Sequence, residues 1–410
     1  MMRTLFFGAC VVVTAACAAG NEPRQPALDS LTPVESPAGP NSGEPNLALD
    51  GQGRVHMSWL ERESDSTVAL KLAIRDGSTW TTPVSVTSRS DLFVNWADFP
   101  SVYVAPSGRL VMHWLQKRPG GRYSYNVMTS QSSDGGRTWS EARVLHDDDV
   151  AAEHGFVSFF EAEGDSVEAI WLDGRATGGG HEGHSGSMQL GNGRIAADGG
   201  ISSSTMIDHR ICDCCQTSAA MTARGPIVVY RDRSDAEIRD IAVMRRVDGK
   251  WTEPTRVHAD DWRIEGCPVN GPSVVADGNN VAVAWFTGAR DTARVNVAFS
   301  TDAGATFSPP IRVDDGNPAG RVDVEFDGLG RALVTWLERV GEQGAEVRLK
   351  AVSSGGSLTP HVVIANSSAA RTSGFPRMVR TGDELVMAWT LPGDTARVMM
   401  ATARVAAERR

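Results

Sequence analysis

Seven short segments of the chain share one pattern of hydrophobic and polar positions. Each follows a turn that contains Gly or Asp, and each alternates apolar residues up to a final aromatic residue. The segments read VHMSW, LVMHW, VEAIW, PIVVY, VAVAW, ALVTW and LVMAW, and they end at Trp59, Trp114, Trp171, Tyr230, Trp285, Trp336 and Trp389. Alternation with a period of two is typical of β-strands. Because the aromatic residues recur every 51 to 59 positions, the chain contains an internal repeat.

A repeat of this length, built from short strands and tight turns, predicts a β-propeller. Each unit has room for one strand before the aromatic strand and two after it, which gives four-stranded antiparallel blades. The seventh unit lacks a fourth strand, but LTPVES at 31–36 resembles the fourth strands TTPVSV, TEPTRV, SPPIRV and LTPHVV. We therefore predict an all-β, seven-bladed propeller whose N-terminal strand closes the last blade. Six blades with an appended strand pair are the alternative.

A second motif marks the turns between the third and fourth strands. SSDGGRTW and STDAGATF fit the Asp-box pattern S-x-D-x-G-x-T-[W/F], and RDGSTW and VDGKW are partial copies. In such a turn the Asp carboxylate accepts bonds from local N–H groups, while Gly supplies a positive φ. We expect these residues to build turns: Ser132, Asp134, Gly136, Thr138, Trp139, Ser300, Asp302, Gly304, Thr306 and Phe307.

With two Asp boxes in phase with the repeat, residues 31–410 resemble the sialidase (neuraminidase) superfamily. The resemblance implies a glycan-directed activity, and sialidases use an arginine triad, a Tyr/Glu nucleophile pair and an Asp acid. Their first arginine lies in an F/Y-R-I-P motif near the N-terminus, and this chain has no such motif. The triad cannot be assigned to residues here, which argues against true exo-sialidase activity.

The topology of a blade sorts the loops onto two faces. The tight turns between first and second strands share one face with the Asp boxes. The long polar loops share the other face, where function is expected: 87–98, 172–187, 208–217, 231–239 and 258–271. The candidate catalytic residues on this face are Asp98, Arg175, Asp208, Arg210, Arg231, Asp232, Arg233, Arg239, Asp261 and Arg263.

Two classes of function fit these observations. The first is a glycan-directed hydrolase or lyase that uses paired carboxylates and arginines on an anionic sugar or another small anionic ligand. The alternative is a non-catalytic binding or metal-carrying surface protein. The fold does not decide between them, because propellers carry many functions. The net charge of -10 and the absence of a basic run argue against nucleic acid as a partner. We expect a monomer.

Four cysteines converge in the predicted fold. Three lie in ICDCCQT, at Cys212, Cys214 and Cys215, and Cys267 lies in the next crossing between blades. The two loops align as D-x-R-I-x-x-C, so Cys214 and Cys267 occupy equivalent positions on adjacent blades. In an oxidising compartment disulfides are expected. A bond between adjacent cysteines is strained, which leaves Cys212–Cys214 with Cys215–Cys267, or Cys212–Cys215 with Cys214–Cys267. We favour the second pairing, because it uses the more relaxed C-x-x-C span and joins the two equivalent positions.

Two other interpretations of the cysteines remain open. A Zn or Cu site would use the four cysteines together with His209, His181 and His184. Free, reactive thiols are the third interpretation, since Arg210 and Arg263 would favour a thiolate. No other cofactor is indicated.

The N-terminal residues 1–17 read as a signal peptide of the lipoprotein type. Arg3 precedes an apolar run at 5–16 that is too short to span a bilayer, and TAAC resembles a lipobox in which Cys17 would be lipidated. Ordinary secretion is the alternative. Residues 18–30 read as a flexible tether, and 31–410 as one domain. The sequence predicts an exported protein, lipid-anchored in the bacterial cell envelope (periplasm or outer membrane), whose only membrane contact is this lipid.

Overall fold

The computed structural model describes residues 26–178 and 186–406. In these residues the chain forms seven β-sheets and two short 3₁₀ turns, Ala289–Asp291 and Arg371–Ser373. Every strand pair along the sheets is antiparallel, and the predicted all-β, seven-bladed propeller is confirmed. No helix in the described part of the chain is long and apolar enough to cross a membrane.

The first three blades follow the chain in order. Blade 1 consists of Ser42–Leu49, Val55–Arg62, Val68–Asp76 and Val84–Arg89, with the short strand Thr79–Trp80 in its last turn. Blade 2 consists of Val102–Val104, Leu110–Lys117, Tyr125–Ser132 and Arg143–Val144. Blade 3 consists of His154–Glu161, Val167–Asp173, Gln189–Ile195 and Thr205–Asp208.

The next three blades repeat this arrangement. Blade 4 consists of Ser218–Thr222, Gly225–Arg231, Ile241–Val247 and Thr255–Arg256, with Lys250–Trp251 in its last turn. Blade 5 consists of Ser273–Asp277, Asn280–Thr287, Arg294–Ser300 and Ile311–Arg312. Blade 6 consists of Pro318–Phe326, Ala332–Val340, Gly344–Val352 and Val362–Ser368.

Blade 7 joins the two ends of the chain. Its strands are Arg377–Thr381, Glu384–Leu391, Arg397–Val405 and the N-terminal Leu28–Val34. Thr32 pairs with Thr402 and Val34 with Met400, so the predicted closure is confirmed. The strand begins at Leu28 and so includes residues 28–30, which the sequence analysis assigned to the tether. This closure gives the last blade its fourth and outermost strand.

The aromatic residues of the repeat form the core between blades. Trp59, Trp171 and Trp336 are fully buried. The indole N–H of each donates to a carboxylate two residues further along the same strand, with distances between 2.6 and 3.1 Å. A buried indole needs such an acceptor. The acids at 61, 173 and 338 therefore belong to the fold rather than to a binding site.

The two Asp boxes have the same hydrogen bonds. Asp134 accepts from the backbone N–H and hydroxyl of Thr138, at 2.9 and 2.7 Å, and Asp302 accepts equally from Thr306. Ser132 accepts the Gly136 N–H at 2.9 Å. The bonds from Thr138 lower the pKa of Asp134. These contacts within the hairpin agree with the predicted turn-building role.

The innermost strands of blades 1, 3 and 6 are bent where they start. The register shifts after Gly43, Gly155 and Gly320, and the residues that follow these glycines, Glu44, Phe156 and Arg321, have positive φ angles. A bulge of this kind re-aims the adjoining backbone. In blade 3 it turns the Phe156 N–H toward Asp98, one of the predicted site residues.

Candidate functional site

Three of the predicted loops meet on one face of the propeller. An isolated bridge joins Ile211 to Asp232, and another joins Ile238 to Arg263. The backbone N–H of Cys212 donates to the Arg231 carbonyl at 3.0 Å. The crossings at 208–217 and 258–271 are thus held against the loop at 231–239.

A polar pocket of about 450 Å³ opens between these loops. It is lined by Asp213, Arg233, Glu237, Arg239, Glu265, Gly266 and Cys267. All three predicted loops contribute to this lining, and two of the predicted residues, Arg233 and Arg239, are in it. We refer to it as the acid–arginine pocket.

Two guanidinium groups bridge two carboxylates in the acid–arginine pocket. Arg233 contacts Glu237 at 2.8 Å and Asp213 at 3.3 Å, and Arg239 contacts the same two residues at 2.9 and 3.7 Å. Burial alone would raise the pKa of Glu237, but the hydrogen bonds from Arg233 and Arg239 lower it overall. Glu237 therefore stays ionised and serves to fix the arginines.

A second group of acids is buried in the protein and includes Glu153. The hydroxyl of Tyr125 donates to Glu153 Oε1 at 2.5 Å, and both residues are buried. Burial raises the pKa of Glu153 to about 7, opposed by the Tyr125 hydrogen bond and helped by the charge of Asp213. Glu153 therefore lies within electrostatic range of the pocket and holds its proton near neutral pH.

Asp98 belongs to the same buried group. Its Oδ1 accepts the Phe156 N–H at 2.9 Å, while its Oδ2 has no hydrogen-bond partner. Burial raises the pKa of Asp98 well above its ordinary value. A protonated carboxyl fits this environment, because an unpaired buried charge is costly. Asp98 also lines a cavity of about 240 Å³ near the axis, together with Gln216, Phe375 and Arg377.

Gln216 ties the crossings together at the axis. Its side-chain amide donates to the Ala97 carbonyl at 2.5 Å and accepts the Gly271 N–H at 2.9 Å. Three successive parts of the chain are thereby fixed around one side chain. The neighbouring cysteine loop is held on a rigid base.

Other predicted residues lie at the rim of the acid–arginine pocket. Arg210 contacts Asp235 at 3.0 Å and Glu237 at 3.5 Å. Arg263 contacts Glu265 at 3.1 Å, and its side chain is 71% exposed. Such exposed pairs are weak and can exchange for an anionic ligand.

Arg231 and Asp261 do not take part in the pocket. The guanidinium of Arg231 is buried, donates to the carbonyls of Asn270, Arg239 and Phe286, and stacks on Trp262 at 4.9 Å. It therefore has a structural role. Asp261 is exposed, and it pairs with Arg256 at 3.1 Å.

Asp208 and Asp232 flank the blade 4 aromatic residue. Tyr230 donates its hydroxyl to Asp208 at 2.5 Å. Asp232 accepts the Arg233 N–H at 2.7 Å, and burial raises its pKa to about 6. Both support the loop that carries Arg233 and Arg239.

Arg175 belongs to a separate cluster in blade 3. It contacts Asp173, Asp147 and Asp148 at 2.8, 3.0 and 3.2 Å. Two stacked imidazoles, His146 and His154, lie beside it with ring centroids 3.7 Å apart. Both rings contact the same oxygen of Asp148, at 3.0 and 3.1 Å. With Asp148, the two histidines could hold a cation.

The cysteines converge as predicted, and no two of these four sulfurs are joined in a disulfide in this structure. The sulfurs of Cys212, Cys214 and Cys215 lie within 4.8 Å of one another, and those of Cys212 and Cys215 are 3.6 Å apart. A disulfide requires about 2.05 Å, so Cys212 and Cys215 are not bonded in this structure, and Cys214 and Cys267 are also free thiols in it. The pairing under oxidising conditions stays a prediction.

The thiols have an asymmetric environment. Arg239 Nη1 lies 3.4 Å from Cys212 Sγ. Hydrogen bonds from Cys214 and Cys215, together with the charge of Arg239, hold the pKa of Cys212 well below its usual value. Burial raises the pKa of Cys214, which also bonds with Cys267.

The predicted histidine ligands are not seen in this cluster. His209 is exposed, and its ring contacts the Gln189 amide at 3.1 Å. His181 and His184 lie outside the described residues, as does Cys17. The sequence analysis did not select His146 and His154. The segment HDDDVAAEH, in which two histidines flank three aspartates, was the signal that could have indicated them.

Residues 58–241 match the family model of a BNR repeat-like domain. The match runs from the aromatic strand of blade 1 to the third strand of blade 4, and it includes the Asp box at 132–139. Residues 58–241 thus resemble BNR repeats, and the described chain folds as a β-propeller. The resemblance to the Asp-box propellers of the sialidase superfamily is confirmed at the level of the fold and its repeats.

Solved structures share the fold of this BNR propeller at low identity. The polysaccharide lyase Uly1 has a TM-score of 0.54 at 10% identity, over 92% of this chain and 99% of that chain. A protein of unknown function from Dyadobacter fermentans DSM 18053 has a TM-score of 0.53 at 12% identity, over the same shares. The NanB sialidase from Streptococcus pneumoniae has a TM-score of 0.46 at 12% identity, over 94% of this chain and 71% of that chain. No curated protein matches the sequence significantly.

Proposed function

We propose that this BNR propeller binds an anionic glycan in the acid–arginine pocket and cleaves it, as a hydrolase or a lyase. The observation that carries the proposal is the arrangement of Glu153. Its carboxyl has a pKa of about 7, is oriented by Tyr125, and lies within electrostatic range of Asp213, which lines the pocket. Environments that separate the pKa values of neighbouring carboxyls are the usual basis of acid–base catalysis.

Glu153 is the proposed general acid. A carboxyl with a pKa near 7 gives up a proton readily at neutral pH, which suits protonation of a leaving glycosidic oxygen. Asp213 is the proposed base, taking a proton from water in a hydrolase or from a sugar carbon in a lyase. Tyr125 is a positioning residue, because its buried ring stacks on Phe93 at 4.2 Å and its hydroxyl fixes the carboxyl.

The arginines are the proposed anchors for the negative charge of the sugar. Arg233 lies in the pocket, with Arg210 and Arg263 at its rim. The partner of Arg210, Asp235, has a side chain that is 96% exposed, and the partner of Arg263 is 73% exposed. A carboxylate or sulfate of a glycan can replace these partners at low cost. The shared fold with a polysaccharide lyase adds support at the level of architecture only.

We also propose that the protein is exported and anchored through Cys17, on the strength of its N-terminal sequence. Mass spectrometry of the mature protein from a bacterial envelope tests this. The lipid should be found on Cys17, and a water-soluble chain cleaved elsewhere would exclude the anchor.

The catalytic proposal is tested on a panel of uronate-containing, sulfated and neutral polysaccharides. Reducing ends report either reaction, and the ultraviolet absorbance of an unsaturated uronate reports a lyase alone. Turnover is expected on an anionic member of the panel. Glu153→Gln should lower it about 10²- to 10⁴-fold, the usual contribution of a general acid.

The matched control is Glu325→Gln. Burial also raises the pKa of Glu325 to about 7, but this residue lies in blade 6, outside the acid–arginine pocket. It should leave turnover unchanged. Equal activity of Glu153→Gln and wild type would contradict the proposed acid, and inertness toward every anionic member would contradict the reaction itself.

A further inference from the structure

The three buried sulfurs of the cysteine loop have the spacing of metal ligands. Two thiolates on one metal, each about 2.3 Å from it, lie about 3.8–4.0 Å apart. The Cys212 and Cys215 sulfurs are 3.6 Å apart, and Cys214 Sγ lies within 4.8 Å of both. Small adjustments would bring all three onto one ion. The same spacing is too long for a disulfide.

The surroundings of the three sulfurs supply the charge that such a site needs. The side chains are almost completely buried, at 1, 8 and 1% exposure. Buried thiolates need a compensating charge, and Arg239 donates to Cys212 Sγ at 3.4 Å. The backbone N–H of Cys212 donates a hydrogen bond to the Arg231 carbonyl, so the cysteine loop is attached to the end of a strand in blade 4. Arg239 is itself fixed by Glu237 at 2.9 Å.

The ligand set distinguishes among metals. Sulfur ligands favour Cu(I) and Zn²⁺ over harder ions. Structural Zn²⁺ takes four tetrahedral ligands, and here the fourth cysteine, Cys267, lies on another loop and is exposed. Cu(I) is satisfied by three thiolates in a plane. The three buried sulfurs of one loop therefore fit Cu(I) better than Zn²⁺.

We propose that Cys212, Cys214 and Cys215 bind one Cu(I) ion, with Cys267 at the open side of the site. None of the three cysteines lines the acid–arginine pocket, but the copper site shares Arg239 with it. Cys267 does line it, so the ion would enter and leave from that side.

The test uses the full-length protein, reduced under anaerobic conditions and titrated with Cu(I) against a coloured Cu(I) chelator. We expect one Cu(I) per chain. Binding should protect three thiols from a thiol reagent and leave Cys267 as reactive as in the metal-free protein. Zn²⁺ should not displace the copper.

Single serine variants separate the ligands from their neighbours. Cys212→Ser, Cys214→Ser and Cys215→Ser should each abolish stoichiometric binding, while Cys267→Ser should retain it. Arg239→Leu should weaken Cu(I) binding about 10- to 100-fold, the usual effect of losing an outer-shell partner. His146→Ala, in the other cluster of potential ligands, should have no effect. Near-ultraviolet circular dichroism of each variant establishes that it is folded.

Three outcomes would overturn the proposal. One is copper binding that survives in folded cysteine variants. Another is protection of Cys267 together with the three loop cysteines, with Zn²⁺ bound more tightly than Cu(I). The third is a Cys212–Cys215 disulfide that remains after the protein has been treated with reductant under anaerobic conditions.

Discussion

Replacing Gly155 by Ala should disrupt the buried acid group without touching the acid–arginine pocket. A Cβ atom at residue 155 would lie 2.0 Å from Asp98 Oδ2 and 3.4 Å from a Tyr125 ring carbon. Real Cβ atoms do not approach an oxygen so closely, so Asp98 must move. Moving it breaks the 2.9 Å bond between Oδ1 and the Phe156 N–H.

The expected loss of stability follows from these two effects. Overpacking a buried site costs about 1–3 kcal/mol. Leaving the Phe156 N–H without a partner costs about 1–3 kcal/mol more. We therefore expect Gly155→Ala to lower the free energy of unfolding by about 2–6 kcal/mol. Urea denaturation followed by tryptophan fluorescence measures it.

Two comparisons isolate the clash. Gly51 has nothing within 4 Å of a built Cβ, so Gly51→Ala should stay within about 0.5 kcal/mol of wild type. In an Asp98→Ala background the added methyl group has room. Gly155→Ala should then lower the free energy of unfolding by less than about 1 kcal/mol, because the effects of two residues in contact do not add. An equal cost in both backgrounds would refute the contact between Asp98 and residue 155.

Three further predictions concern the fold and its pH dependence. Ser132→Ala and Ser300→Ala remove equivalent bonds in two Asp boxes. Each should cost about 1–3 kcal/mol, and the double variant should show the sum in urea denaturation. The pKa of Glu153 rises from 4.5 to about 7 on folding, so its contribution to stability is lost as the pH rises through that interval. The melting temperature of Glu153→Gln should therefore fall less than that of wild type between pH 4.5 and about 7. If the two proteins lose melting temperature equally over this interval, the raised pKa of Glu153 is contradicted. A chain that starts after Val34 lacks the N-terminal strand and exposes the edge of the strand Arg397–Val405. It should unfold at a lower temperature and form oligomers that light scattering detects, whereas a chain that starts at Pro26 should do neither.

The fold could be predicted because its determinants repeat. Seven aromatic strands and two Asp boxes recur in phase, and the N-terminal strand resembles the fourth strands it replaces. Repetition also aligned Cys214 with Cys267, and their thiols do meet. What the repeat does not fix is the oxidation state of a sulfur, so the predicted disulfides, which this structure does not contain, stay a prediction.

The site was harder to predict, because its chemistry depends on burial. Arg231 and Arg233 are two residues apart on one loop, yet one is packed on Trp262 and the other lines the pocket. Glu153 lies just before a strand and matches no motif. Only the folded chain shows that it meets Tyr125 across 28 residues of sequence.

The most direct test of the account is the affinity of an anionic oligosaccharide for two variants, measured by isothermal titration calorimetry. The oligosaccharide is one that wild type releases from its polysaccharide. Glu153→Gln should bind it with a Kd close to that of wild type while turning over its polymer poorly. Arg233→Ala should bind it at least about tenfold more weakly, a loss of about 1.4 kcal/mol. Arg137→Ala, in the exposed Asp-box turn at 132–139, should bind normally. Unchanged binding by Arg233→Ala, or weak binding by Arg137→Ala alone, would contradict the placement of the glycan site.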